Sequence, residues 1–272
     1  MRRLRRVTEA EVVSEFLRNE FYRDEFQRDR QHFQHLVFAP DLANELHNAV
    51  RRALLFRRRG HMWRELPADT QWWEVRIDLE DLNQLRVFPR AQWRQISNGS
   101  FRLTDIVHRI QHQEFNGRVK AFIARVYSLS YRLRSEEDSS SIILIGVDEH
   151  HPMTILEGNH RLTAACLASP QLLQQRFRVL VGFSPHMTES CWYETNLPNL
   201  WRYAKNRLRN LYHKEADIDR VAAAAAREAT VLACADMAPV PGAMLAAQPP
   251  VATAPQPVTA SEPAVQETKR IA

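Results

Sequence analysis

The stretch Ile142–Pro170, IILIGVDEHHPMTILEGNHRLTAACLASP, decides the fold, because two strand patterns in it are followed by an abrupt change to a helical pattern. Its first four residues are a short apolar run rich in isoleucine, as expected of a buried strand. A polar turn that ends at Pro152 leads into a second strand at residues 153–156. Helical spacing of apolar residues begins after EGNHR, residues 157–161.

The EGNHR junction predicts a turn that presents backbone N–H groups at the start of a helix. Gly158 lacks a Cβ atom and permits close backbone approach, and Asn159 is a favourable N-cap residue. The first turn of a helix carries unpaired N–H groups and the positive end of the helix dipole. With the side chains of His160 and Arg161, these groups predict an anion site, most naturally for phosphate. The alternative is a structural turn in which Arg161 makes a surface salt bridge.

Two side chains of the junction are candidates for catalysis. His160 can donate a hydrogen bond, and an ordinary imidazole changes its protonation near neutral pH. Glu157 stands beside the predicted phosphate site, where a carboxylate binds Mg²⁺ or accepts a proton from a hydroxyl group. The alternative for Glu157 is an exposed carboxylate at a strand end. For the polar cluster at residues 148–151 we predict no metal site, because neighbours on a turn usually point apart.

The junction and three further segments, in the same order, resemble the signature of the ParB/sulfiredoxin-like superfamily. In that superfamily a strand runs into a G-x-[HR]-R turn and an alanine-rich helix, as GNHRLTAA does here at residues 158–165. The other matching segments are WEVRIDLEDL (73–82), the opening strand, RVFPR (86–90), a basic proline-containing loop, and FRVLVGF (177–183), the closing strand. The likeness covers roughly residues 70–185. It implies an α+β fold with a small mixed sheet.

The resemblance also implies a ligand, because related proteins bind nucleotide phosphates at this turn. Partition proteins bind CTP there, and sulfiredoxins and related small-molecule kinases bind ATP. The residues that would hold the phosphates of ATP or CTP with Mg²⁺ are Gly158, Asn159, His160 and Arg161, with Arg90 and Arg86 reaching in from the loop after the first strand. Sulfiredoxins have their catalytic cysteine where this chain has Asn159, which argues against sulfinic-acid reduction.

Composition and periodicity divide the chain into four predicted parts. These are a helical N-terminal extension (1–66), the ParB/sulfiredoxin-like domain (67–190, with a helical insertion at about 100–140), a basic amphipathic helix (191–221) and an Ala/Pro-rich tail (222–272). In the extension we predict helices over 8–38 and 41–59, with a capping box at Thr8 and a stop at Gly60. The tail is predicted to be disordered from about 236, because it lacks the apolar surface that offsets ordering entropy.

The C-terminal helix, within residues 192–212, combines basic side chains with an apolar stripe that includes Leu197, Trp201 and Leu208. We expect that stripe to dock on the core. The net charge of +5 over 272 residues favours anionic partners, whether nucleotides, nucleic acid or acidic metabolites. The basic stretch at 51–59 is either a solvated face or a contact for nucleic-acid phosphates.

Two further features concern the environment of the protein. No apolar run approaches the ~20 residues that span a bilayer. The three cysteines, Cys166, Cys191 and Cys234, show neither a disulfide framework nor a metal-binding spacing. We therefore expect a cytoplasmic protein with reduced thiols and no membrane partner.

Taken together, these features predict an enzyme that binds ATP or CTP and hydrolyses it or transfers its phosphate to a small molecule. One alternative is a DNA-associated ParB-like regulator or nuclease, and another is a non-catalytic ligand-binding module. The DNA alternative is weakened because partition proteins carry a helix-turn-helix region after the nucleotide turn, whereas one basic helix follows it here. The enzymatic hypothesis requires an open cleft above Asn159.

Overall fold

The structure is a computed structural model that describes residues 1–135, 140–213 and the separate positions 220, 221, 223, 224 and 227. It confirms the predicted α+β class, with one mixed sheet and many helices. The strands are β1 (Arg2–Val7), β2 (Gln71–Arg76), β3 (Leu85–Arg86), β4 (Ser141–Gly146), β5 (Met153–Glu157) and β6 (Arg178–Phe183). The helices are α1 (Glu9–Glu20), α2 (Gln27–Phe38), α3 (Glu45–Trp63), α4 (Ala91–Ser97), α5 (Leu103–His112), α6 (Gly117–Ser135), α7 (Asn159–Ala168), α8 (Leu172–Arg176) and α9 (Leu197–His213). Cys234 and the tail from about 236 lie outside the described residues.

The six strands form one sheet in the order β1-β2-β6-β4-β5-β3. The pairs β6–β4 and β5–β3 are parallel, and the other three neighbouring pairs are antiparallel. The two strands of the opening stretch, β4 and β5, therefore lie side by side near the middle of the sheet. The turn that follows β5 is placed beside the buried start of β4.

Strand β4 is buried along its whole length, which explains its continuous apolar sequence. Successive side chains of a strand point to opposite faces of the sheet. Ile142 and Leu144 pack into a cluster with residues of α4–α7, whereas Ile143 and Ile145 pack into a second cluster with residues of α1–α3. The sheet is therefore a middle layer between two sets of helices.

The N-terminal extension, predicted to be helical, begins instead with strand β1. It pairs antiparallel with β2 at the sheet edge, and its residues are exposed except for Val7. A strand whose side chains are mostly arginines lacks the alternation of apolar and polar residues that predicts strands. Arg3 lies over the ring of Trp73, 4.9 Å from its centroid, so this cation also packs on the sheet.

The predicted helices of the extension are correct in place but wrong in extent. Thr8 accepts a hydrogen bond from the backbone N–H of Glu11 at 3.2 Å, as an N-cap residue does. The segment 8–38 is broken after α1 by a turn and a short 3₁₀ helix, Asp24–Phe26. Helix α3 continues past Gly60 to Trp63, and Gly60 serves close packing, since a Cβ there would lie 2.1 Å from Oδ1 of Asn210.

Helix α9 docks through its polar side, contrary to the prediction. Asn199 and Asn210 are buried, and Asn206 donates to Oε1 of Glu65 at 2.6 Å. The predicted docking residues Leu197, Trp201 and Leu208 are 82%, 65% and 56% exposed. Buried Asn199 also donates to the carbonyl oxygens of Thr188 and Glu194, each at 2.8 Å. The amides of Asn199 and Asn206 decide the orientation of α9, because an amide that loses its partners on burial costs more than an exposed leucine.

Candidate anion-binding site

The turn between β5 and α7 requires glycine at position 158. Gly158 has a φ of 98°, a left-handed conformation that side chains disfavour. A Cβ atom at this position would lie 2.5 Å from Cδ1 of Ile142 in the neighbouring strand. The prediction of close backbone approach is therefore confirmed, and the partner in that approach is strand β4.

Gly158, and not Asn159 as predicted, is the N-cap residue of α7, and it offers no side-chain acceptor. The N–H of Leu162 donates to the carbonyl oxygen of Gly158 at 2.8 Å, and the three preceding N–H groups have no intrahelical acceptor. Those groups belong to residues 159–161. They and the helix dipole favour an anion at this end of α7.

Asn159 is not free to cap the helix because its side chain joins the turn to two other segments. Its Oδ1 accepts the backbone N–H of Phe88 at 2.7 Å, and its Nδ2 donates to the carbonyl oxygen of Ile155 at 3.2 Å. Phe88 lies in the RVFPR loop, 71 residues earlier in the chain. The bond therefore holds that loop, and Arg90 within it, beside the start of α7.

Arg161 is fixed by two hydrogen bonds at the base of the turn. Its Nη1 donates to Oδ1 of Asn19 and its Nη2 to Oε1 of Glu157, each at 3.1 Å. Asn19 belongs to α1, and it also donates to the carbonyl oxygen of Ser141 at 2.8 Å. The predicted alternative of a salt bridge is therefore present. The ion pair lies in the cleft, and it leaves further N–H groups of the guanidinium available.

A cleft of about 290 Å³ lies above the turn, as the enzymatic hypothesis requires. Its lining residues are Asn19, Arg23, Arg90, Trp93, Leu129, Arg132, Leu156, Glu157, Gly158, Asn159, His160 and Arg161. Four of these side chains are guanidinium groups and one is a carboxylate. Arg23, Arg90 and Arg132 are exposed around the opening, and Arg23 is also paired with Glu20 at 2.5 Å. Such a lining attracts anions and repels cations.

His160 packs against two aromatic rings at one side of the cleft. Its ring centroid lies 5.4 Å from that of Trp93 and 5.0 Å from that of Phe122. Desolvation, and then the charges of nearby arginines, lower the pKa of His160 to about 4, although part of the residue is exposed. The expectation of a protonation switch near neutral pH is therefore wrong, and the imidazole is neutral at pH 7.

Glu157 is half-buried at the end of β5. Burial and the neighbouring Glu20 carboxylate raise its pKa, and Arg161 opposes them from 3.1 Å. Glu20 is itself paired with Arg59 at 2.7 Å. The alternative of an exposed carboxylate at a strand end does not describe this residue, because its side chain is only 16% exposed.

Arg86 and the basic stretch at 51–59 lie outside the cleft. Arg86 lines a different cavity, which contains Trp192 and Tyr193. Arg51 is 0% exposed and donates to the carbonyl oxygen of Leu36 at 3.1 Å. The other arginines of the stretch make ion pairs: Arg52 with Glu9, Arg57 and Arg58 with Asp29, and Arg59 with Glu20 and Glu25. These cations are largely neutralised within the protein.

Sequence reasoning missed Asn19, Arg23 and Arg132 as part of the site. Asn19 and Arg23 come from the end of α1 and the turn after it, and Arg132 comes from α6. No local motif marks these positions, because an asparagine or arginine near a helix end is common. Only the packing of α1 and α6 against the β5–α7 turn brings them together.

Comparisons of the chain with protein-family models, curated proteins and solved structures gave no match. The structure by itself defines an α+β protein with an arginine-lined cleft at the N-terminus of helix α7, where the helix begins after Gly158. In the part of the chain that the structure describes, no helix has both the length and the apolar character needed to cross a bilayer. The ParB/sulfiredoxin-like resemblance stays a prediction.

Proposed function

We propose that the cleft binds the phosphate groups of a nucleotide, ATP or CTP, and that the protein hydrolyses it or transfers its phosphate to a small molecule. One observation carries the proposal: the uncapped N–H groups of residues 159–161 open onto a cleft lined by four arginines. Helix N-termini and arginines are the groups that proteins use most for phosphate. The GNHR resemblance and the net charge of +5 support the same ligand.

In this proposal the residues of the cleft divide into binding and catalytic groups. The N–H groups of the turn and the remaining N–H donors of Arg161 hold phosphate oxygens. Arg23, Arg90 and Arg132 neutralise charge as the bond to the leaving oxygen breaks. Neutral His160 is a hydrogen-bond donor. Glu157 takes the proton of the attacking water or hydroxyl group, a role that its raised pKa suits.

Mg²⁺ was expected with the nucleotide, but the side chains of the cleft do not fit a metal held by the protein. Such an ion needs oxygen ligands, above all carboxylates. Glu157 is the one carboxylate among the described residues of the lining, and it is paired with Arg161. We therefore assign no catalytic step to a protein-bound metal. We also propose a cytoplasmic location, supported by two buried free thiols, Cys166 and Cys191.

Calorimetry tests the proposal with ATP, CTP and inorganic tripolyphosphate at low ionic strength. The wild-type protein should bind these ligands, and Arg161→Gln should weaken binding at least about tenfold by removing charge-assisted hydrogen bonds. Arg94→Gln is the matched control, because Arg94 is exposed on α4 outside the cleft lining. Equal affinities for the two variants would contradict phosphate binding at this turn. Release of inorganic phosphate from ATP or CTP tests catalysis separately.

A further inference from the structure

A second cavity of about 330 Å³ adjoins the cleft. Its lining residues are His61, Met62, Phe88, Pro89, Arg90, Cys191, Trp192, Thr195, Leu200 and Tyr203. Arg90 also lines the anion-binding cleft, so the two spaces meet at this side chain. We call this second space the aromatic cavity. It is therefore next to the proposed phosphate site, and the side chain of Arg90 lines both.

The walls of the aromatic cavity are rings that hold one another in place. Phe88 and Trp192 stack with centroids 4.6 Å apart and an interplanar angle of 30°. Tyr203 meets Trp192 edge to face at 4.7 Å. The indole N–H of Trp192 donates to the carbonyl oxygen of Met62 at 3.2 Å, which fixes the ring. The cavity is preformed, and such apolar walls suit a flat aromatic ligand.

Three polar groups of this cavity make no hydrogen bond or ion pair within residues 1–135 and 140–213. They are the ring nitrogens of His61, the hydroxyl group of Tyr203 and the guanidinium group of Arg90. The guanidinium carbon of Arg90 lies over the ring of Phe88, 5.2 Å from its centroid. His61 and Tyr203 are half-buried, and a half-buried polar group with no partner is an available ligand contact. Desolvation, and then the charges of nearby arginines, lower the pKa of His61 to about 4, so the ring offers one donor and one acceptor at pH 7.

We propose that the aromatic cavity binds the base of the nucleotide whose phosphates lie in the neighbouring cleft. The inference rests on the proposed function. The base stacks among the rings, His61 and Tyr203 bond its polar edge, and Arg90 spans the two spaces and contacts the phosphate nearest the ribose. Asn159 makes the arrangement possible, because its bond to Phe88 ties one wall of the aromatic cavity to the phosphate turn.

The test compares ligands that share phosphates but differ in the base. Calorimetry on the full chain measures the affinities of tripolyphosphate, ATP, CTP, adenosine and cytidine. The variants are Tyr203→Leu and His61→Phe, which keep apolar bulk in the walls and remove the polar groups. Tyr212→Leu is the matched control, because Tyr212 lies on the same helix and is 82% exposed. Unchanged far-ultraviolet circular dichroism shows that each variant is folded.

We expect ATP or CTP to bind at least about tenfold more tightly than tripolyphosphate, since stacking of one base has a large effect on affinity. Tyr203→Leu and His61→Phe should reduce that difference and leave the affinity for tripolyphosphate unchanged. Tyr212→Leu should change neither the difference nor the affinity for tripolyphosphate. Equal affinities for tripolyphosphate and both nucleotides would overturn the base site and leave the phosphate site standing. Binding of a nucleoside without any binding of tripolyphosphate would instead overturn the phosphate site. No binding of any ligand would overturn both.

Discussion

The anion-binding cleft and the aromatic cavity share Arg90, but the floor of the cleft is built differently from the walls of the cavity. The turn at the floor of the cleft is contiguous in sequence, residues 157–161, and its main cation, Arg161, is already bonded to Asn19 and Glu157. The aromatic cavity collects residues from near positions 61, 88, 191 and 203, and the polar groups of His61, Arg90 and Tyr203 in its lining make no hydrogen bond or ion pair with the described residues. The floor of the cleft depends on local backbone shape, whereas the rest of its lining and the whole aromatic cavity depend on packing between distant segments.

This difference predicts how each space responds to mutation. A change at the turn alters the backbone itself, so it should affect both stability and binding. A change in the wall of the aromatic cavity should affect binding more than folding, because unpartnered groups contribute little to the folded state. Asn159 belongs to both spaces, because its side chain connects the turn to Phe88 in the wall of the aromatic cavity. A substitution of Asn159 should therefore affect both stability and binding.

Gly158→Ala should have the largest effect. The variant forces a side chain into left-handed backbone and places Cβ 2.5 Å from Ile142, so we expect a loss of about 2–5 kcal/mol of unfolding free energy. Urea denaturation measures the change. Gly99→Ala separates the two causes, because Gly99 has a φ of 87° but no atom within 4 Å of the added Cβ. The Gly99→Ala control should lose only about 1–2 kcal/mol of unfolding free energy. Equal losses would mean that the contact with β4 is unimportant.

Asn159→Ala should be the next most disruptive change. It leaves the N–H of buried Phe88 without its acceptor, which costs about 1–3 kcal/mol. The freed loop should also lower the affinity for tripolyphosphate, because Arg90 loses its fixed position beside the turn. Urea denaturation and calorimetry measure the two effects. Asn83→Ala, an exposed position in the preceding segment, should change neither. A stable variant with full affinity would show that this side chain does not couple the two spaces.

The sequence predicted the local part of this arrangement well. The two strands, the glycine-dependent bend and the following helix occupy consecutive residues, and continuous burial, left-handed backbone and helical spacing each leave a pattern in the sequence. The orientation of α9 and the position of Arg86 were not predictable in the same way. Both depend on partners far away in the chain, such as Glu65 for α9, and hydrophobic periodicity alone favoured the opposite face of that helix.

The sequence also indicated the wrong protonation behaviour for His160, and pH dependence tests the correction. The folded pKa values of His160 and His61 are about 4, below the ordinary value of 6.5. Between those pH values the unfolded chain binds protons that the folded chain does not, so stability is fully present above pH 6.5 and falls as pH drops towards 4. The urea midpoint should fall between pH 7.5 and 5. His160→Phe or His61→Phe should lessen that fall, and His32→Phe, at an exposed position, should not. Equal falls in all variants would contradict the lowered pKa values.

Glu157→Gln should have the smallest effect on folding and should separate binding from catalysis. Glutamine keeps an acceptor for Arg161, 3.1 Å away, and removes a carboxylate that burial and Glu20 already disfavour. The loss of one negative charge from a cleft lined by four arginines should strengthen tripolyphosphate binding roughly two- to fivefold. If Glu157 is the general base, release of phosphate from ATP or CTP should nevertheless fall at least about a hundredfold. Tighter binding with unchanged turnover would remove Glu157 from the mechanism, because its charge would then only weaken the binding of phosphate.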